Sequence, residues 1–411
     1  MNPRVLVEAL VIGLAAALVA GTARGQDRFV QDRFAIGFWV DPPADDRMDA
    51  RYDQIANASF SLVLGAFGAR SPETVARQLD LCAKHDLKAL VWVAGDTAEQ
   101  LPDHPACWGY MLRDEPNEDA FSALRERVDA IRAVRPGKLA YINLFPNYAS
   151  PEQLGSPSYE AHVAAFIEKV GPDVLSMDHY PRFVPGADGR AAYCENLAVL
   201  RKHACDAGIP FWNFFNTMPF GPHTDPTEAQ LRWQMYTSIA YGAKGLLYFC
   251  YYTPLSHEFP KGGAIIGRDD RPTRHYDQAK RINHAIANLG PTLMKLTSTG
   301  VYRVTPDDEP STVLDGTPIR NLGRADYDPG HDLLIGVFTH DDGRRAVLIN
   351  NYHFAYTAWP TVEFDTNPAS VIEVDQKSGE EHPVIDDSPD LDGLQVSLDA
   401  GEGRLFLLPA S

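Results

Sequence analysis

Positive charge is scarce in this chain of 411 residues, in which 37 Lys and Arg stand against 55 Asp and Glu. The formal net charge is −18 at pH 7, and the basic residues form no run. Such a surface repels phosphate backbones and anionic headgroups, so we expect neither a nucleic acid nor an anionic membrane as partner. Neutral or cationic ligands fit the charge better.

Cysteine is scarce as well. The 5 cysteines are an odd number and include no Cys-x-x-Cys pair, which argues against a disulfide framework or a zinc site of the usual spacing. Cys194 and Cys205 are the only two close enough in sequence to suggest a local disulfide. The sequence also lacks a dinucleotide-binding fingerprint and a phosphate-binding loop, and its histidines show no metal-binding spacing. We therefore expect no cofactor and no metal.

Long apolar runs are missing beyond the N-terminus, so no membrane-spanning helix is expected. The N-terminus itself has the parts of a signal peptide: Arg4, an apolar stretch over residues 9–20 and small residues at 21–23. We assign residues 1–25 to a signal peptide and expect a secreted or periplasmic protein.

Short β-rich runs alternate with amphipathic helical stretches between residues 33 and 296, which is typical of βα units around a parallel sheet. The predicted strands cover residues 34–40, 61–67, 89–94, 107–112, 139–144, 174–178, 211–215 and 245–251. Eight units within about 250 residues predict a (β/α)8 TIM barrel. An open doubly wound sheet is the alternative.

Helix starts are visible between these strands. Ser71 followed by Pro72 predicts an N-cap with proline at the first helical position. Asp225 and Glu228 predict an N-cap and its capping box at a later helix. Another helix is predicted from an apolar face spaced by three and four residues, formed by Phe121, Leu124, Val128 and Ile131.

The pattern changes to period two after residue 291. Short β runs at 301–304, 333–338, 346–350, 371–374, 394–398 and 404–408 are separated by Asp, Gly and Pro clusters. They predict an antiparallel β-sandwich, an accessory domain over residues 297–411 that follows a catalytic barrel over residues 33–296.

Polar and aromatic residues collect where the predicted barrel strands end, which is where barrels build their active sites. The candidates there are Trp39, Asp41, Asp114, Glu115, Asn143, Asp178, His179, Tyr180, Trp212, Asn213, Asn216, Tyr251 and Glu258. Aromatic faces stack on pyranose rings, and carboxylates and amides bind hydroxyls. The set predicts a carbohydrate site in which the tryptophans stack and the asparagines and Tyr180 bind hydroxyls.

Glu115 is the candidate general acid, because glycosidic cleavage needs a carboxylic acid that protonates the leaving oxygen. The adjacent Asp114 is expected to raise its pKa, and Pro116 to fix its backbone. A second carboxylate must act as nucleophile or activate water. Asp178 is the first candidate, Glu258 the second, and Asp114 could act indirectly.

At this point the sequence resembles the barrel glycoside hydrolases of clan A, whose strand-four acid stands in an Asn-Glu-Pro motif. Here the motif reads Asp114-Glu115-Pro116. With Ile-Asn-Leu-Phe-Pro at 142–146 and Asp178-His179-Tyr180, residues 37–254 look most like a group of secreted bacterial glycoside hydrolases. The resemblance implies a barrel that hydrolyses O-glycosidic bonds of a poly- or oligosaccharide, and a sandwich is a common companion of such barrels.

One departure from that family keeps alternatives open. Clan A enzymes carry a nucleophilic glutamate at the end of strand seven, and residues 211–216 contain no acid. The Asp114–Glu115 pair also resembles the pair of hexosaminidases that use the substrate's own acetamido group, in which the aspartate orients that group. The third possibility is a carbohydrate-binding barrel without catalysis.

Overall fold

The computed structural model describes residues 28–92, 97–184, 186–323, 330–387, 390 and 392–410. The predicted signal peptide and the last two residues of the third predicted strand lie outside these ranges.

Eight parallel strands form the first part of the molecule. They are β1 (Ala35–Phe38), β2 (Leu62–Leu64), β3 (Lys88–Trp92), β4 (Cys107–Asp114), β5 (Leu139–Asn143), β6 (Leu175–Asp178), β7 (Phe211–Asn216) and β8 (Gly245–Phe249). One set pairs in the order β1-β8-β7-β6 and the other in the order β2-β3-β4-β5. Two backbone hydrogen bonds of 2.8 Å join the sets, from Ser61 to the carbonyl of Ile36 and from Leu144 to that of Ser176. The strands therefore form a closed barrel, and the open sheet is wrong.

Helices surround the barrel. They are α1 (Met48–Asn57), α2 (Pro72–Lys84), α3 (Phe121–Val134), α4 (Pro151–Leu154), α5 (Tyr159–Val170), α6 (Arg190–Ala207), α7 (Glu228–Ala240) and α8 (Arg274–Leu293). Ser71 caps α2 in a capping box with Thr74, and Pro72 occupies the first helical position, as predicted. The four predicted apolar residues of α3 are all buried.

The predicted start of α7 is wrong by two residues. Thr227 is the N-cap, and it forms the capping box with Gln230. Asp225 instead accepts a hydrogen bond from His275 at 2.7 Å. Glu228 is the first helical residue and pairs with Arg281 of α8. Asp225 precedes a proline and is engaged by a helix distant in sequence, a contact that the local pattern does not contain.

The C-terminal part is antiparallel. Its strands are β9 (Leu296–Val304), β10 (Ile319–Gly323), β11 (Leu333–His340), β12 (Arg345–Asn351), β13 (Thr361–Phe364), β14 (Ile372–Val374), β15 (Glu381–Pro383), β16 (Leu394–Gln395) and β17 (Gly403–Leu408), with the short helix α9 (Pro310–Val313) after β9. The order β9-β11-β12-β17-β14-β15 makes one sheet, and β10-β13-β16 makes the other. The sequence pattern missed β10, β13 and β15.

The larger sheet joins the two parts of the molecule. Its strands alternate, so that Ile335 and Val347 face the smaller sheet while Leu334 and Leu348 belong to the same apolar cluster as the barrel helices. Gly336 lies so close to α7 that a Cβ there would be 2.5 Å from the carbonyl of Ala240. The sandwich is thus packed on the barrel through a continuous core.

The suggested disulfide between Cys194 and Cys205 is wrong, since all five cysteines are free. Both residues belong to α6, where the Sγ of Cys194 lies 3.6 Å from the hydroxyl of Tyr352 and Cys205 is exposed. Among the described residues no helix has the length and apolarity that a membrane span requires. Nor does this part of the chain gather three or more His, Cys, Asp or Glu side chains that could hold a metal ion.

Candidate active site

A cavity of about 820 Å³ opens at the C-terminal ends of the barrel strands. Its aromatic lining consists of Trp39, Phe67, Tyr180, Phe214, Phe249, Tyr252 and Phe259. Its acidic lining consists of Asp41, Asp114, Glu115, Asp178 and Glu258. None of the described residues that line it is Lys, Arg or His. The cavity has the size and the mixture of apolar walls and a few polar groups that small-molecule sites show.

Glu115 lies on the turn that leaves β4. Its backbone adopts a left-handed conformation, with φ of 45°, and its N–H donates to the carbonyl of Asn143 at 2.9 Å. Pro116, which is buried, follows at once. Val40 at the end of β1 has a φ of 66°, an outlier for a β-branched residue. Two strained non-glycine residues therefore border the same cavity, and such strain often marks functional sites.

The environment of Glu115 favours the protonated acid. Burial raises its pKa to about 7, and the nearby charge of Asp114 acts in the same direction. Burial likewise raises the pKa of Asp114, opposed by a hydrogen bond from Asn143 and by the charge of Arg113. A carboxyl group with a pKa near neutrality can hold a proton for transfer at ordinary pH.

Asn143 at the end of β5 connects the acids of the neighbouring strands. Its Nδ2 donates to Oδ1 of Asp178 at 2.8 Å and to Oδ1 of Asp114 at 3.2 Å. Its Oδ1 accepts from the hydroxyl of Ser176 at 3.0 Å, and that hydroxyl lies 2.8 Å from the hydroxyl of Tyr141. The network fixes the amide orientation and brings Asp114 and Asp178 to the same nitrogen of one side chain.

Asp178, at the end of β6, is buried, with 8% of its surface exposed. Burial raises its pKa well above the usual range, and the charges of Glu115 and Asp114 raise it further. Hydrogen bonds from Asn143 and Tyr180 oppose that rise. Because Glu115 and Asp178 disfavour each other's ionisation, the two lose their protons in separate steps.

Eight predicted residues meet at this cavity. The residues that line it are Trp39, Asp41, Asp114, Glu115, Asn143, Asp178, Tyr180 and Glu258. Glu258 belongs to the loop that follows β8 and is exposed. Asp114, Glu115 and Asp178 come from the C-terminal ends of β4 and β6, whereas Glu258 comes from the loop after β8.

Asp41 lines the cavity, but its carboxylate is already engaged. Its Oδ1 accepts the N–H groups of Ala66, Phe67 and Gly68 at 3.1, 2.8 and 2.9 Å, and its Oδ2 accepts that of Ala69 at 2.9 Å. Only 1% of the residue is exposed. The predicted contact with substrate is corrected to the positioning of the loop after β2.

Trp212 and Asn213 do not reach the cavity. Trp212 fills the opposite end of the barrel interior, where it stacks on Trp108 with ring centres 6.3 Å apart and its Nε1 donates to Gln31 at 2.9 Å. Asn213 points outward from β7 and donates to the hydroxyl of Tyr193 on α6 at 2.6 Å. Both residues are fully buried, so the predicted stacking and hydroxyl-binding roles are corrected to packing roles.

Asn216, His179 and Tyr251 are also structural. Asn216 is fully buried and donates to the carbonyl of Thr224 at 2.8 Å, which holds the loop after β7. His179 hydrogen-bonds through Nδ1 to Asn196 at 2.9 Å, and burial lowers its pKa to about 4. The ring of Tyr251 stacks on Phe38 at 4.3 Å inside the core.

Five aromatic residues of the cavity were missed, namely Phe67, Phe214, Phe249, Tyr252 and Phe259. Phe214 follows Trp212 on the same face of β7, two residues nearer the C-terminal end, and that spacing could have identified it. The same alternation allowed only one of Tyr251 and Tyr252 to face the mouth, and it is Tyr252. Phe67 carries no comparable signal, because it lies on a loop that Asp41 shapes.

Neither a protein-family model nor a curated protein matches the chain. A catalytic mutant of Gan42B, a GH42 β-galactosidase from G. stearothermophilus, matches with a TM-score of 0.60 at 10% identity, over 93% of this chain and 100% of that chain. The β-galactosidase from Bacillus circulans sp. alkalophilus matches with 0.58 at 9%, over 92% and 99%. The chain shares the fold of these two proteins. Its likeness to the β-galactosidase from Marinomonas ef1 covers 62% of this chain and 60% of that chain, with a TM-score of 0.46 at 11% identity.

At such identities the likeness concerns the fold, and the same barrel serves many chemistries. The activity of this chain therefore has to be argued from its own residues. One difference from the clan A pattern persists in the structure, because β7 ends in Asn216 without a carboxylate.

Proposed function

We propose that the protein is a glycoside hydrolase that cleaves O-glycosidic bonds of a poly- or oligosaccharide at the barrel mouth. The observation that supports this most strongly is the grouping of Asp114, Glu115 and Asp178 around Asn143, in a cavity that is also lined by aromatic residues. Two carboxyl groups on either side of a glycosidic bond are what such hydrolysis requires.

Glu115 is the proposed general acid. Its pKa of about 7 lets it keep a proton below neutrality and transfer it to the leaving oxygen. Asp178 is the proposed second carboxyl group, which activates water or attacks the anomeric carbon in its ionised form. Because the two ionise in steps, there is a pH range in which the pair holds one proton. The proposal requires that this proton is on Glu115 when the sugar is bound, since the acid must be protonated while its partner is ionised.

The walls suit a sugar without negative charge. Trp39 and Phe214, whose rings contact each other edge to face at 5.9 Å, offer apolar surface to a pyranose. Tyr180 offers a hydroxyl beside Asp178. A uronate or sulfated sugar would meet acids with no basic side chain among the lining residues described, so a neutral or cationic glycan is the proposed substrate class.

The absent acid on β7 favours two alternatives. In the first, the acetamido group of an N-acetylhexosamine replaces the enzymic nucleophile and Asp114 orients it. In the second, the barrel binds a glycan without cleaving it. Both keep the sugar in the same cavity, so product release and its dependence on the acetamido group separate them.

The test is sugar release from a panel of aryl glycosides and polysaccharides, N-acetylated ones included. Wild type is compared with Glu115→Gln and with Glu126→Gln, the same change on the exposed face of α3. We expect release by wild type and Glu126→Gln, and loss of nearly all of it in Glu115→Gln. Activity confined to N-acetylated substrates would select the acetamido route. No release by folded wild type would select the binding barrel.

We also propose that the protein is exported, on the basis of the signal-peptide pattern in residues 1–25. N-terminal sequencing of the protein recovered outside the cytoplasm should begin near residue 26. Recovery of an uncleaved chain from the cytoplasm would reject the proposal.

A further inference from the structure

One loop of the sandwich holds aromatic rings in solvent. Tyr356 is 71% exposed and Trp359 is 44% exposed, on the connection between β12 and β13. We call residues 352–359 the aromatic loop. Large rings in solvent forgo the stabilisation that burial would provide, and clusters of them mark interaction sites.

The backbone of the aromatic loop is held by hydrogen bonds to the side chain of Asn351. Asn351, of which 1% is exposed, donates to the carbonyl of Tyr356 at 2.7 Å and to that of Asp399 at 3.1 Å. Its Oδ1 accepts the N–H of His353 at 3.0 Å. These bonds fix the backbone that presents the rings, so a ligand would not have to bear the full entropy loss of ordering the loop.

Each exposed ring has a polar aromatic neighbour. The ring of Tyr356 lies 4.8 Å from that of His353, at an interplanar angle of 39°. Trp359 contacts the ring of His331 at 4.9 Å, and its backbone N–H donates to that histidine at 3.3 Å. Apolar faces beside hydrogen-bonding groups match the two sides of a sugar ring.

The aromatic loop contacts the connection that leaves β6. Phe354 packs edge to face on Phe183 at 5.2 Å, and the guanidinium of Arg190, at the start of α6, lies 5.0 Å from the ring of Phe354. Phe183 begins a short hairpin, formed by Phe183–Val184 and Ala187–Asp188, in the connection that leaves β6. The same connection contains Tyr180, which lines the cavity three residues before Phe183. The aromatic loop is thus in contact with the segment that carries part of the cavity lining.

We propose that the aromatic loop is a second carbohydrate-binding surface, on which Tyr356 and Trp359 hold the part of a polysaccharide chain that extends beyond the cavity. The inference rests on the proposed function and adds that the substrate is a polymer. A glycan is the favoured occupant because the loop contacts the connection that carries Tyr180 into the proposed glycan site, and because each exposed ring is paired with a second, polar ring.

Binding is tested in the Glu115→Gln background, so that the polymer is not consumed. Retardation is measured in native gels that contain soluble xylan, galactan, hydroxyethyl cellulose or glycol chitin. The parent is compared with the Tyr356→Ala/Trp359→Ala double variant, with Tyr356→Phe, which keeps the ring, and with Ile385→Ala. Ile385 is an apolar residue of the sandwich that is 79% exposed. Tyr356, Trp359 and Ile385 all lie at the surface, so these variants should fold, and thermal unfolding verifies it.

We expect the double variant to lose roughly tenfold or more in affinity for the polymer that retards the parent, since each stacked ring contributes a modest increment. Tyr356→Phe and Ile385→Ala should bind like the parent. In the active enzyme, the double substitution should lower kcat/KM for that polymer relative to kcat/KM for an aryl glycoside by a similar factor.

Three results would overturn the inference: retardation of the double variant equal to that of the parent, no retardation of the parent by any of the four polymers, or self-association that the double substitution abolishes while glycan binding is unchanged. The proposed function fails separately. Ring-dependent retardation together with no sugar release by wild type would uphold the binding surface and reject the hydrolase.

Discussion

The side-chain amide of Asn143 donates a hydrogen bond of 2.8 Å to Oδ1 of Asp178. The same nitrogen lies 3.2 Å from Oδ1 of Asp114, so both of its protons are directed at carboxylates. Ser176 occupies the carbonyl side of the amide. Asn143 is therefore placed to position the acids, and the hydroxyl-binding role that its strand-end location suggested does not fit these contacts.

Replacing Asn143 by alanine tests that positioning role. A hydrogen bond to an ionised carboxylate lowers its pKa, so its loss should raise the pKa of Asp114 and Asp178 further. The acidic limb of the kcat/KM profile, which reports an ionised carboxylate, should move to higher pH. We also expect kcat/KM at its optimum to fall roughly 10–100-fold. Asn57→Ala, an exposed change on α1, is the control. An unmoved acidic limb would contradict the assignment.

A second prediction concerns the alkaline limb. Glu115 serves as an acid only while protonated, so kcat/KM should fall as the pH rises through about 7. Asp114→Asn removes the neighbouring charge that helps to raise this pKa, and the alkaline limb should then move to lower pH. Asp119→Asn, an exposed change in the turn before α3, should leave it in place. If Asp114→Asn leaves the alkaline limb of kcat/KM at the same pH, then another group supplies the proton.

The sequence located the acids because their positions follow from the fold. Alternation of β runs and helices predicts the barrel, a barrel places strand ends at the mouth, and Asp114, Glu115 and Asp178 end two of those strands. How deep a strand residue lies in the barrel is harder to predict from the sequence. Trp212 and Phe214 share one face of β7, yet the former packs at the closed end and the latter lines the cavity. Strand boundaries uncertain by two residues decide between these depths.

Contacts between segments distant in sequence could not be predicted from the local sequence pattern either. Asp225 had the residue type and spacing of an N-cap. In the structure its carboxylate is instead hydrogen-bonded to His275, which lies 50 residues later in the chain. Asp41 had the residue type of a sugar ligand, but four N–H groups of another loop saturate it. Local patterns indicate what a side chain can do, and the partner that reaches it depends on the tertiary structure.

The two tryptophans first predicted to stack on sugar provide a matched pair. Trp39 lines the cavity, so Trp39→Ala should raise KM roughly tenfold and lower the free energy of unfolding by no more than about 2 kcal/mol. Trp212 is fully buried, so Trp212→Phe should lower that free energy by about 1–3 kcal/mol and leave KM unchanged. Urea unfolding and steady-state kinetics on the same preparations separate the effects. A raised KM in stable Trp212→Phe would restore its predicted role.

The last prediction concerns Asp41. The sequence predicts that it binds sugar, whereas in the structure it holds the loop after β2. Its carboxylate accepts the N–H groups of residues 66–69 and holds the turn on which Phe67 reaches the cavity. Space at this turn is tight, since a Cβ on Gly68 would lie 1.8 Å from the carbonyl of Pro42. The missing side chain of Gly68 permits this close approach, and the carboxylate of Asp41 bonds the N–H of the same residue.

Asp41→Asn should therefore act first on stability. The amide presents donors where at least one backbone N–H needs an acceptor, and hydrogen bonds to a charged group are the stronger kind, so we expect the free energy of unfolding to fall by about 2–4 kcal/mol. Urea unfolding measures this, with Asp80→Asn on the exposed side of α2 as the matched control. Activity should fall along with stability because Phe67 is displaced. If Asp41→Asn unfolds at the wild-type urea concentration and only KM rises, then the carboxylate binds the sugar, as the sequence alone suggested.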